Sequence, residues 1–326
     1  MILKDVTVTT YHERLIVGER RISDKCETKQ QLISELNKKN AGLKGEKSLN
    51  YYLSFLPKNN HIIVHNLRLQ NDAGYFYQID TLVFLKRYFV MIDAKHHTGK
   101  IIYDANFKQL IQEKNNSNEV MTEPLQQIER QLMQLQTQFN KQLKNSPKVF
   151  PYVVFTNPSV QLAITPEKAT KPSNLIRLES LPSILKKLEM QIQHDLFTIN
   201  ELKQLAKYLI KKNVPYDAEV LSKFNVSRDH IITGVHCPKC LNMKMKRIPY
   251  KAVWLCAICH YTSKDAHINA LRDYYLLLGP KITNKVARWF LEIESETIVK
   301  KILKATCKQK VGKGSATVYS LDNLQS

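Results

Sequence analysis

The stretch that decides the fold is Gln78-Ile79-Asp80-Thr81-Leu82-Val83-Phe84-Leu85-Lys86-Arg87-Tyr88-Phe89-Val90-Met91-Ile92-Asp93-Ala94-Lys95. Two apolar and aromatic runs flank Lys86 and Arg87, which predicts an antiparallel hairpin. If the strands turn symmetrically about these two residues, Asp80 lies directly opposite Asp93. Lys-Arg is not a favoured two-residue turn, so a loop of odd length that shifts this pairing stays an alternative.

Alternation along the two strands assigns their side chains to two faces. Lys95 shares a face with Asp93 and has Gln78 opposite it. The other face is filled by the apolar side chains of Val83, Leu85, Val90 and Ile92. Both faces are mostly apolar, as expected for a sheet that is covered by helices.

The two facing aspartates predict a metal site. Like charges about 5 Å apart destabilise a half-buried sheet unless a cation lies between them. Carboxylate oxygens suit a hard octahedral ion, so Mg²⁺ or Mn²⁺ fits better than zinc. Such an ion keeps waters, one of which can become a nucleophile, while Lys95 orients that water or supports the charge. The alternative is a pair of strand-end carboxylates that are held by Lys or Arg.

A third carboxylate, Glu46, precedes Leu49 and Leu53 on one face of a predicted helix. It therefore leans toward the apolar side, where an acid needs a partner such as a metal-bound water or a second ion. The alternative is a carboxylate near the N-terminus of the helix, which is stabilised by the helix dipole.

Four motifs in order resemble the nuclease-related domain, NERD. They are Gly42-Leu43-Lys44-Gly45-Glu46, then Gln78-Ile79-Asp80-Thr81-Leu82, Asp93-Ala94-Lys95 with Gly99-Lys100-Ile101, and Pro124-Leu125-Gln126-Gln127. The resemblance spans about residues 39–139, and four motifs at workable spacings make it far more specific than a lone D-x-K.

The resemblance carries expectations about fold and chemistry, because the family is grouped with PD-(D/E)xK nucleases. It implies a restriction-endonuclease-like central sheet flanked by helices, and metal-dependent phosphodiester hydrolysis. By position, Glu46, Asp80 and Asp93 would be metal ligands, Lys95 the catalytic lysine, and Gln127 the family's helical glutamine. The sequence departs from the family at Asp93, where Glu is more usual, and the shorter side chain could move the ion or weaken its binding.

Two histidines, His96 and His97, follow the lysine. They could contact a phosphate, but loop histidines without such a role are the more common case.

The wider N-terminal part predicts a mixed α/β domain that reaches Lys212. A helix over residues 29–56 is expected to be interrupted at Gly42 and Gly45. Strands, a polar loop and a long helix follow, then a strand, an irregular segment and further short elements. Their predicted ranges are strands at 61–67, 77–85, 88–94 and 100–103, a loop at 113–119, a helix from Thr122 and Pro124, strands at 149–155 and 175–178, and helices at 181–193 and 199–212.

Composition limits the class of protein. The 326 residues carry 49 Lys plus Arg against 29 Asp plus Glu, a net charge of +20, and 43% are hydrophobic. This excludes a disordered tail protein, and 9 Gly with 12 Pro exclude a collagen-like chain. The charge indicates a nucleic acid partner, with a basic solvated surface as the alternative.

The sequence also predicts a location. No apolar run reaches the roughly 18 residues of a membrane span, so we expect a soluble protein without a membrane partner. Residues 1–17 lack the apolar region of a secretory signal, which predicts a cytoplasmic location. The six cysteines are then expected to be reduced thiols or metal ligands.

Two C-x₂-C pairs, Cys237 with Cys240 and Cys256 with Cys259, are separated by 15 residues. This spacing is typical of a zinc ribbon with one structural Cys₄ zinc site. The basic residues between the pairs, Lys244, Lys246, Arg247 and Lys251, predict a hairpin with a basic face. A redox dithiol or an iron centre is the alternative.

The C-terminal part predicts three helices followed by a glycine-turned hairpin, the pattern of a winged helix, with residues 298–305 as the recognition helix. Its solvent-side lysines would meet phosphates: Lys300, Lys301 and Lys304 on the helix, with Lys308, Lys310 and Lys313 on the wing. The alternative is a helical packing module whose lysines serve solubility.

The sequence therefore predicts four segments: a nuclease-related domain over 1–212, a linker over 213–232, a zinc ribbon over 233–265 and a winged-helix-like domain over 266–326. The predicted function is a Mg²⁺-dependent nuclease, with DNA favoured over RNA as substrate. Its rival is a non-catalytic DNA- or RNA-binding protein with a degenerate nuclease domain.

Overall fold

The structure is a computed structural model that describes residues 1–114, 117–143, 146–243 and 245–324. Residues as far as Lys211 form β1 (Ile2–Lys4), α1 (Thr10–Arg21), α2 (Lys29–Leu53), β2 (His61–Gln70), β3 (Phe76–Leu85), β4 (Phe89–Lys95), β5 (Lys100–Asp104), β6 (Gln109–Lys114), β7 (Ser117–Met121), α3 (Pro124–Gln142), β8 (Val149–Phe155), β9 (Gln161–Thr165), β10 (Leu175–Arg177), α4 (Leu181–Gln191) and α5 (Ile199–Lys211). Later residues form α6 (Val220–Lys223), β11 (Met245–Arg247), β12 (Trp254–Cys256), β13 (Thr262–Ser263), α7 (Ala266–Leu278), β14 (Lys281–Thr283), α8 (Asn284–Leu291), α9 (Glu296–Thr306), β15 (Gln309–Val311) and β16 (Val318–Ser320).

The chain divides into two compact units. Unit 1 contains Met1–Val8 and Lys38–Tyr216, and unit 2 contains Thr9–Asn37 and Asp217–Ser326. Residues 9–37 thus pack with the C-terminal part of the chain. The four predicted segments and their boundaries remain a proposal.

Unit 1 is built on a six-stranded mixed sheet in the order β1-β2-β3-β4-β8-β10. Helices α3 and α5 pack on one face, in a core that includes Leu82, Phe84, Phe89 and Met91. The C-terminal half of α2 and helix α4 cover the other face, in a core that includes Val83, Leu85, Val90 and Ile92. This arrangement confirms the predicted mixed α/β class with a sheet flanked by helices.

The central hairpin has the predicted register. Strands β3 and β4 pair Thr81 with Ile92, Leu82 with Met91, Val83 with Val90 and Phe84 with Phe89. The separation of the apolar side chains into two faces is confirmed over the same residues.

The alternation of side chains inverts at the level of Asp80. Tyr77 and Ile79 lie in the same core cluster as Leu82 and Phe84. Strict period-two alternation would instead place the first two side chains on the opposite face of the sheet from the last two. The neighbouring strand β2 changes in the same way around Asn66, whose φ is +52°. A local break in the pleat therefore coincides with the first acid.

Three details of the predicted elements are wrong. Helix α2 continues without interruption through Gly42 and Gly45. The predicted polar loop at 113–119 consists, in its described part, of paired strand residues whose side chains are largely exposed, while residues 115 and 116 lie outside the described residues. Strand β9 occupies part of the segment expected to be irregular. Short or exposed strands lack the apolar runs by which strands are identified.

Unit 2 packs helix α1 with the residues that follow Asp217. Arg21 is fully buried, its Nε donates to Asp273 Oδ2 at 2.8 Å, and its Nη1 donates to the carbonyl of Gly234 at 2.7 Å. A buried charge requires such partners, so this pair fixes how α1 joins α7. In the predicted linker, α6 and the nearby Val226 are partly buried in the same unit. No helix among the described residues is long and apolar enough to cross a membrane.

The two glycines of α2 offer a matched test of the packing. A Cβ at Gly45 would lie 2.7 Å from Thr156 Oγ1 and 3.0 Å from His96 Cβ, whereas nothing lies within 4 Å of a Cβ at Gly42. We expect Gly42→Ala to raise the melting temperature by about 2–4 °C, because alanine favours the helix by about 1 kcal/mol. Gly45→Ala is expected to lower it, because overpacking costs about 1–3 kcal/mol. Thermal unfolding followed by circular dichroism checks both, and equal stabilisation by the two substitutions would contradict the close approach at Gly45.

Candidate metal centres

Two of the predicted acids lie on neighbouring strands of the central sheet. Asp80 is on β3 and Asp93 on β4, one position beyond the pair Thr81 and Ile92. Asp93 is 6% exposed. The antiparallel ladder ends at that pair, and both acids lie directly beyond its end.

Each aspartate has a different set of partners. The backbone N–H of Ala94 donates to Asp80 Oδ2 at 2.9 Å, and Gln78 Nε2 lies 3.5 Å from the other oxygen. Lys95 Nζ lies 2.8 Å from Asp93 Oδ2 and 3.5 Å from Gln127 Oε1. The structure therefore brings Lys95 and Gln127 together beside Asp93.

The third acid, Glu46, lies within α2 and is mostly buried. Its Oε2 has no hydrogen-bond partner among the described residues. Burial raises the pKa of Glu46 to about 6, a hydrogen bond from the Asn66 side chain opposes that rise, and Asp93 adds to it. An orphaned carboxylate oxygen in a buried position has lost its water without gaining a donor, and a cation or ordered water would supply the missing partner.

The charges of the three acids are coupled. Burial raises the pKa of Asp80 well above its ordinary value, and the negative charges of Asp93 and Glu46 raise it further. The Ala94 N–H and Lys95 lower it without cancelling the rise. The site thus holds more negative charge than its own lysine compensates, and the remaining cost is what a divalent cation removes.

The donor set of the acids fits a hard cation. Three carboxylates with one unpartnered oxygen suit Mg²⁺ or Mn²⁺ by charge and by donor type. The three acids do not form a group of ligand atoms that all lie within 4.8 Å of one another; among the described residues the four cysteines form one. This wider spacing agrees with Mg²⁺, which keeps several waters and takes one or two carboxylates directly.

Two further residues beside Glu46 escaped the sequence reasoning. Lys4 Nζ donates to the carbonyls of His65 and Asn66, at 2.8 Å and 2.7 Å. Burial lowers the pKa of Lys4, and the charge of Glu46 opposes this. A lysine on a three-residue strand has no sequence signal. It supports the left-handed turn at Asn66, which is the residue that binds Glu46.

The two histidines after Lys95 have mainly local contacts. His96 Nδ1 lies 3.0 Å from Thr156 Oγ1, and the ring of His97 lies 6.4 Å from that of Phe155. Burial lowers the pKa of both, so both are neutral at pH 7. A phosphate contact by either residue remains a prediction.

The four cysteines form a compact cluster in unit 2. All four sulfurs lie within 4.8 Å of one another, with Cys237 and Cys259 3.6 Å apart and Cys240 and Cys256 3.6 Å apart. Sulfurs bound at 2.3 Å to one tetrahedral zinc are about 3.8 Å apart, so the cluster fits zinc.

The backbone around the cysteines has a repeated geometry. Leu241 N donates to Cys237 O and His260 N to Cys256 O, and both donors adopt the left-handed conformation. The N–H groups of Lys239 and Ile258 lie 3.4 Å from the sulfurs of Cys237 and Cys256. Such donors stabilise thiolates, so the two turns support a Cys₄ metal site. Of the basic residues predicted between the pairs, Lys244 lies outside the described residues.

The C-terminal lysines lie on exposed surfaces of α9 and the following hairpin. Lys300, Lys301 and Lys304 are exposed on α9, opposite the buried side chains of Val299, Ile302 and Leu303. Lys308, Lys310 and Lys313 are exposed in or beside β15. The element order is α7, β14, α8, α9, β15, β16, and the three strands form a sheet in the order β14-β16-β15.

The coupling of the acids can be tested through stability. Because the folded protein raises the pKa of Asp80, its ionised form opposes folding above the ordinary aspartate pKa, and this cost grows as the pH rises. Asp80→Asn removes the charge and keeps an acceptor for the Ala94 N–H. With chelator at pH 8 we expect it to raise the melting temperature by about 2–6 °C, and at pH 5 by less.

The matched control for this measurement is Glu167→Gln, which neutralises an exposed acid of the same unit. Mg²⁺ is expected to stabilise the wild-type protein more than Asp80→Asn. If Asp80→Asn and Glu167→Gln have equal melting temperatures at every pH, the acids do not repel one another as described.

Comparison with known proteins adds one match. Residues 41–156 match the family model of the nuclease-related domain, NERD. No curated protein and no solved structure matches the chain. The matched segment contains Glu46, Asp80, Asp93 and Lys95 as well as Gln127, and it covers the central hairpin and helix α3. A domain of this kind indicates a nuclease-related function, the use of a divalent metal and a nucleic acid partner. Residues 41–156 of this chain are therefore similar to the nuclease-related domain.

Proposed function

We propose that the chain is a metal-dependent nuclease that hydrolyses phosphodiester bonds of DNA. The observation that carries this proposal is the buried set of three coupled carboxylates with Lys95 beside them, in a nuclease-related domain. Carboxylates with raised pKa values, as at Glu46 and Asp80, are typical of functional sites. The net charge of +20 supports a polyanionic substrate.

Glu46, Asp80 and Asp93 would hold Mg²⁺ or Mn²⁺ in this proposal. When bound, the ion would neutralise charge on the phosphate and supply an activated water. Asp80 is held in place by the Ala94 N–H, and Glu46 by the Asn66 side chain. These supports matter because a ligand that rotates freely loses entropy each time it binds an ion.

Lys95 and Gln127 would act on the phosphate side of the site. The ammonium group of Lys95 would contact a non-bridging phosphate oxygen, or orient the attacking water, once a cation takes over the neutralisation of Asp93. Gln127 Oε1 lies 3.5 Å from Lys95 Nζ and would position it. Lys95 is therefore the proposed catalytic residue, and Gln127 its positioning residue.

The C-terminal unit would hold the nucleic acid. Its proposed parts are a ribbon whose four cysteines bind a structural Zn²⁺ and a winged-helix-like module with α9 as recognition helix. Two features support this topology. The three strands form a sheet in the order β14-β16-β15, and α8 and α9 lie between β14 and β15 in the chain. The exposed lysines of α9 and β15 would contact phosphates, which gives salt-dependent affinity with little sequence preference.

One specific feature favours the rival function, a non-catalytic nucleic-acid-binding protein with a degenerate nuclease domain. Asp93 stands where the family more usually has Glu, and Lys95 forms an ion pair with it. If Asp93 cannot reach an ion, this pair is only structural. Both proposals share the basic C-terminal surface, so cleavage separates them.

The catalytic proposal predicts Mg²⁺-dependent cutting of plasmid DNA by the full-length protein. Asp93→Asn and Lys95→Met are expected to lower the rate by about 10²-fold or more, because each removes a group that acts in the transition state. Gel electrophoresis of supercoiled plasmid, with labelled single-stranded DNA and RNA in parallel, measures the rate and identifies the substrate. Lys187→Met, which removes an exposed lysine of α4, is the control for lost charge.

Two outcomes decide between the candidate functions. Equal cutting by the wild type and by both site variants would identify a contaminating nuclease. Tight binding without cutting, at any Mg²⁺ or Mn²⁺ concentration and also after Asp93→Glu, would establish the non-catalytic alternative.

The nucleic-acid surface is tested by neutralising Lys300, Lys301 and Lys304 together with alanine. Each lysine that contacts a phosphate contributes about 0.9 to the slope of log affinity against log salt on duplex DNA. We expect the triple variant to bind at least about 10-fold more weakly at low salt and to lose about 2–3 from the slope. Fluorescence anisotropy with a labelled duplex, from low to moderate salt, measures both quantities.

A triple variant with equal charge loss is the control. It replaces Lys58, Lys186 and Lys187 with alanine, all exposed in unit 1. Equal effects of the two triple variants would show that net charge, and not the α9 surface, controls binding.

A further inference from the structure

A stacked arginine lies on the strand pair that carries Asp80. Arg68 is on β2, and its guanidinium carbon lies 3.7 Å from the ring centre of Phe76 and 5.5 Å from that of Tyr216. The Val214 N–H donates to Arg68 O, and the Arg68 N–H donates to Asn213 Oδ1, so the segment that carries Tyr216 is held along β2. The stack fixes the plane of the guanidinium and leaves its edge for ligands.

A backbone carbonyl, and no carboxylate of the described residues, binds the guanidinium of Arg68. Its Nη1 donates to the Val214 carbonyl at 3.1 Å, and no Asp or Glu of the described residues forms an ion pair with it. Elsewhere in unit 1, by contrast, Arg87 and Arg177 are paired with acids. A partly buried, stacked guanidinium without a counter-charge is suited to bind an anion, and its fork geometry matches a phosphate.

The stack adjoins the acids through Gln78. In the β2–β3 ladder Arg68 pairs with Gln78, which is two residues before Asp80, about 7 Å along the strand. Gln78 Nε2 lies 3.5 Å from Asp80 Oδ1. The side chain of Phe76, one further step along β3, is 42% exposed. A row of exposed polar and aromatic groups thus leads from the acids toward the turn between β2 and β3.

Strands β2 and β3 are joined by a hydrogen-bonded turn that exposes an aromatic ring to solvent. Asn71 Oδ1 accepts hydrogen bonds from the N–H groups of Ala73 and Tyr75, and Gln70 Nε2 donates to the Gly74 carbonyl. Gly74 adopts φ of +86°, which glycine alone adopts without strain. Tyr75 is nevertheless 73% exposed. A large exposed ring on a fixed backbone is arranged for stacking, because little entropy is lost when a partner binds.

We propose that Arg68, Phe76 and Tyr75 form a binding platform for a single-stranded segment of nucleic acid next to the bond that is cut. The edge of Arg68 binds a phosphate, and an unpaired base stacks on Tyr75. The platform rests on the proposed nuclease function, since it lies beside the same acids. Its ligand is a single strand because the stacked base must have a free face, which a base inside a duplex lacks.

The test measures binding and cutting separately with the full-length protein. Fluorescence anisotropy in chelator uses a labelled single-stranded DNA of 12 nucleotides and the corresponding duplex as probes. Arg68→Met is expected to weaken single-strand binding by about 10-fold, and Tyr75→Ala by about 5–100-fold, the range for loss of one base stack. Duplex binding is expected to change less than about 2-fold with Tyr75→Ala. Arg68→Lys, which keeps the charge without the planar fork, is expected to restore only part of the binding.

Matched controls come from the same unit. Lys187→Met removes one positive charge from an exposed position, and Phe107→Ala removes a ring that is 78% exposed at another turn. Both should bind the single strand within about 2-fold of the wild type. Unchanged melting temperatures confirm that all variants fold. With Mg²⁺ present, Arg68→Met is expected to raise KM for single-stranded DNA and to leave kcat within about 2-fold.

The outcomes separate this inference from the nuclease proposal. If the wild type cuts nothing while the Arg68 and Tyr75 variants alone lose single-strand binding, the platform stands and the nuclease proposal fails. If the wild type cuts but these variants bind like their controls, the platform is overturned and the nuclease proposal stands. Absence of single-strand binding by the wild type also overturns it, as does an equal loss of duplex binding with Tyr75→Ala.

Discussion

The candidate site of unit 1 depends on one electrostatic conflict, the repulsion between Asp80 and Asp93 on adjacent strands. The hairpin ladder ends one position before the two acids, and their partial burial reduces the screening of their charges by water. The protein offers only partial compensation, one ammonium group at Asp93 and one N–H at Asp80. A repulsion of this kind that the protein leaves partly uncompensated supports the proposed cation site.

The sequence predicted the strand register of the hairpin whose strands carry these two acids. Two apolar runs around Lys86 and Arg87 determine which residues face one another, and the observed pairs agree with a symmetric turn. The same reasoning failed at the level of Asp80, where the alternation of side chains inverts. The inversion of alternation there depends on the left-handed conformation of Asn66 and on the carbonyl contacts of Lys4, and both are tertiary effects. Neither effect can be recognised in a short stretch of sequence, because both depend on contacts between distant parts of the chain.

The glycines of α2 also show why part of the structure could not be predicted from local sequence. In isolation, Gly42 and Gly45 lower helix propensity, which is why the sequence predicts an interruption. In the structure Gly45 is needed for contact, since a Cβ would overlap Thr156 Oγ1, at the end of β8. Packing of the helix against the sheet outweighs a propensity cost of about 1 kcal/mol, and it also brings Glu46 toward the acids. Propensity alone cannot distinguish a glycine that ends a helix from one that lets the helix approach its neighbour.

The two candidate metal centres differ in the charge of their ligands and therefore in how closely the ligands can be packed. A thiol of ordinary pKa is mostly protonated at pH 7, so thiols repel one another less than carboxylates do. In the ribbon, two turns direct N–H groups at the sulfurs of Cys237 and Cys256. Three carboxylates cannot be brought equally close, because their mutual repulsion grows as the separation falls. A closed thiolate cluster and an open carboxylate site follow from this difference in charge. The first arrangement suits a permanent structural ion, whereas the second leaves coordination positions for water and phosphate.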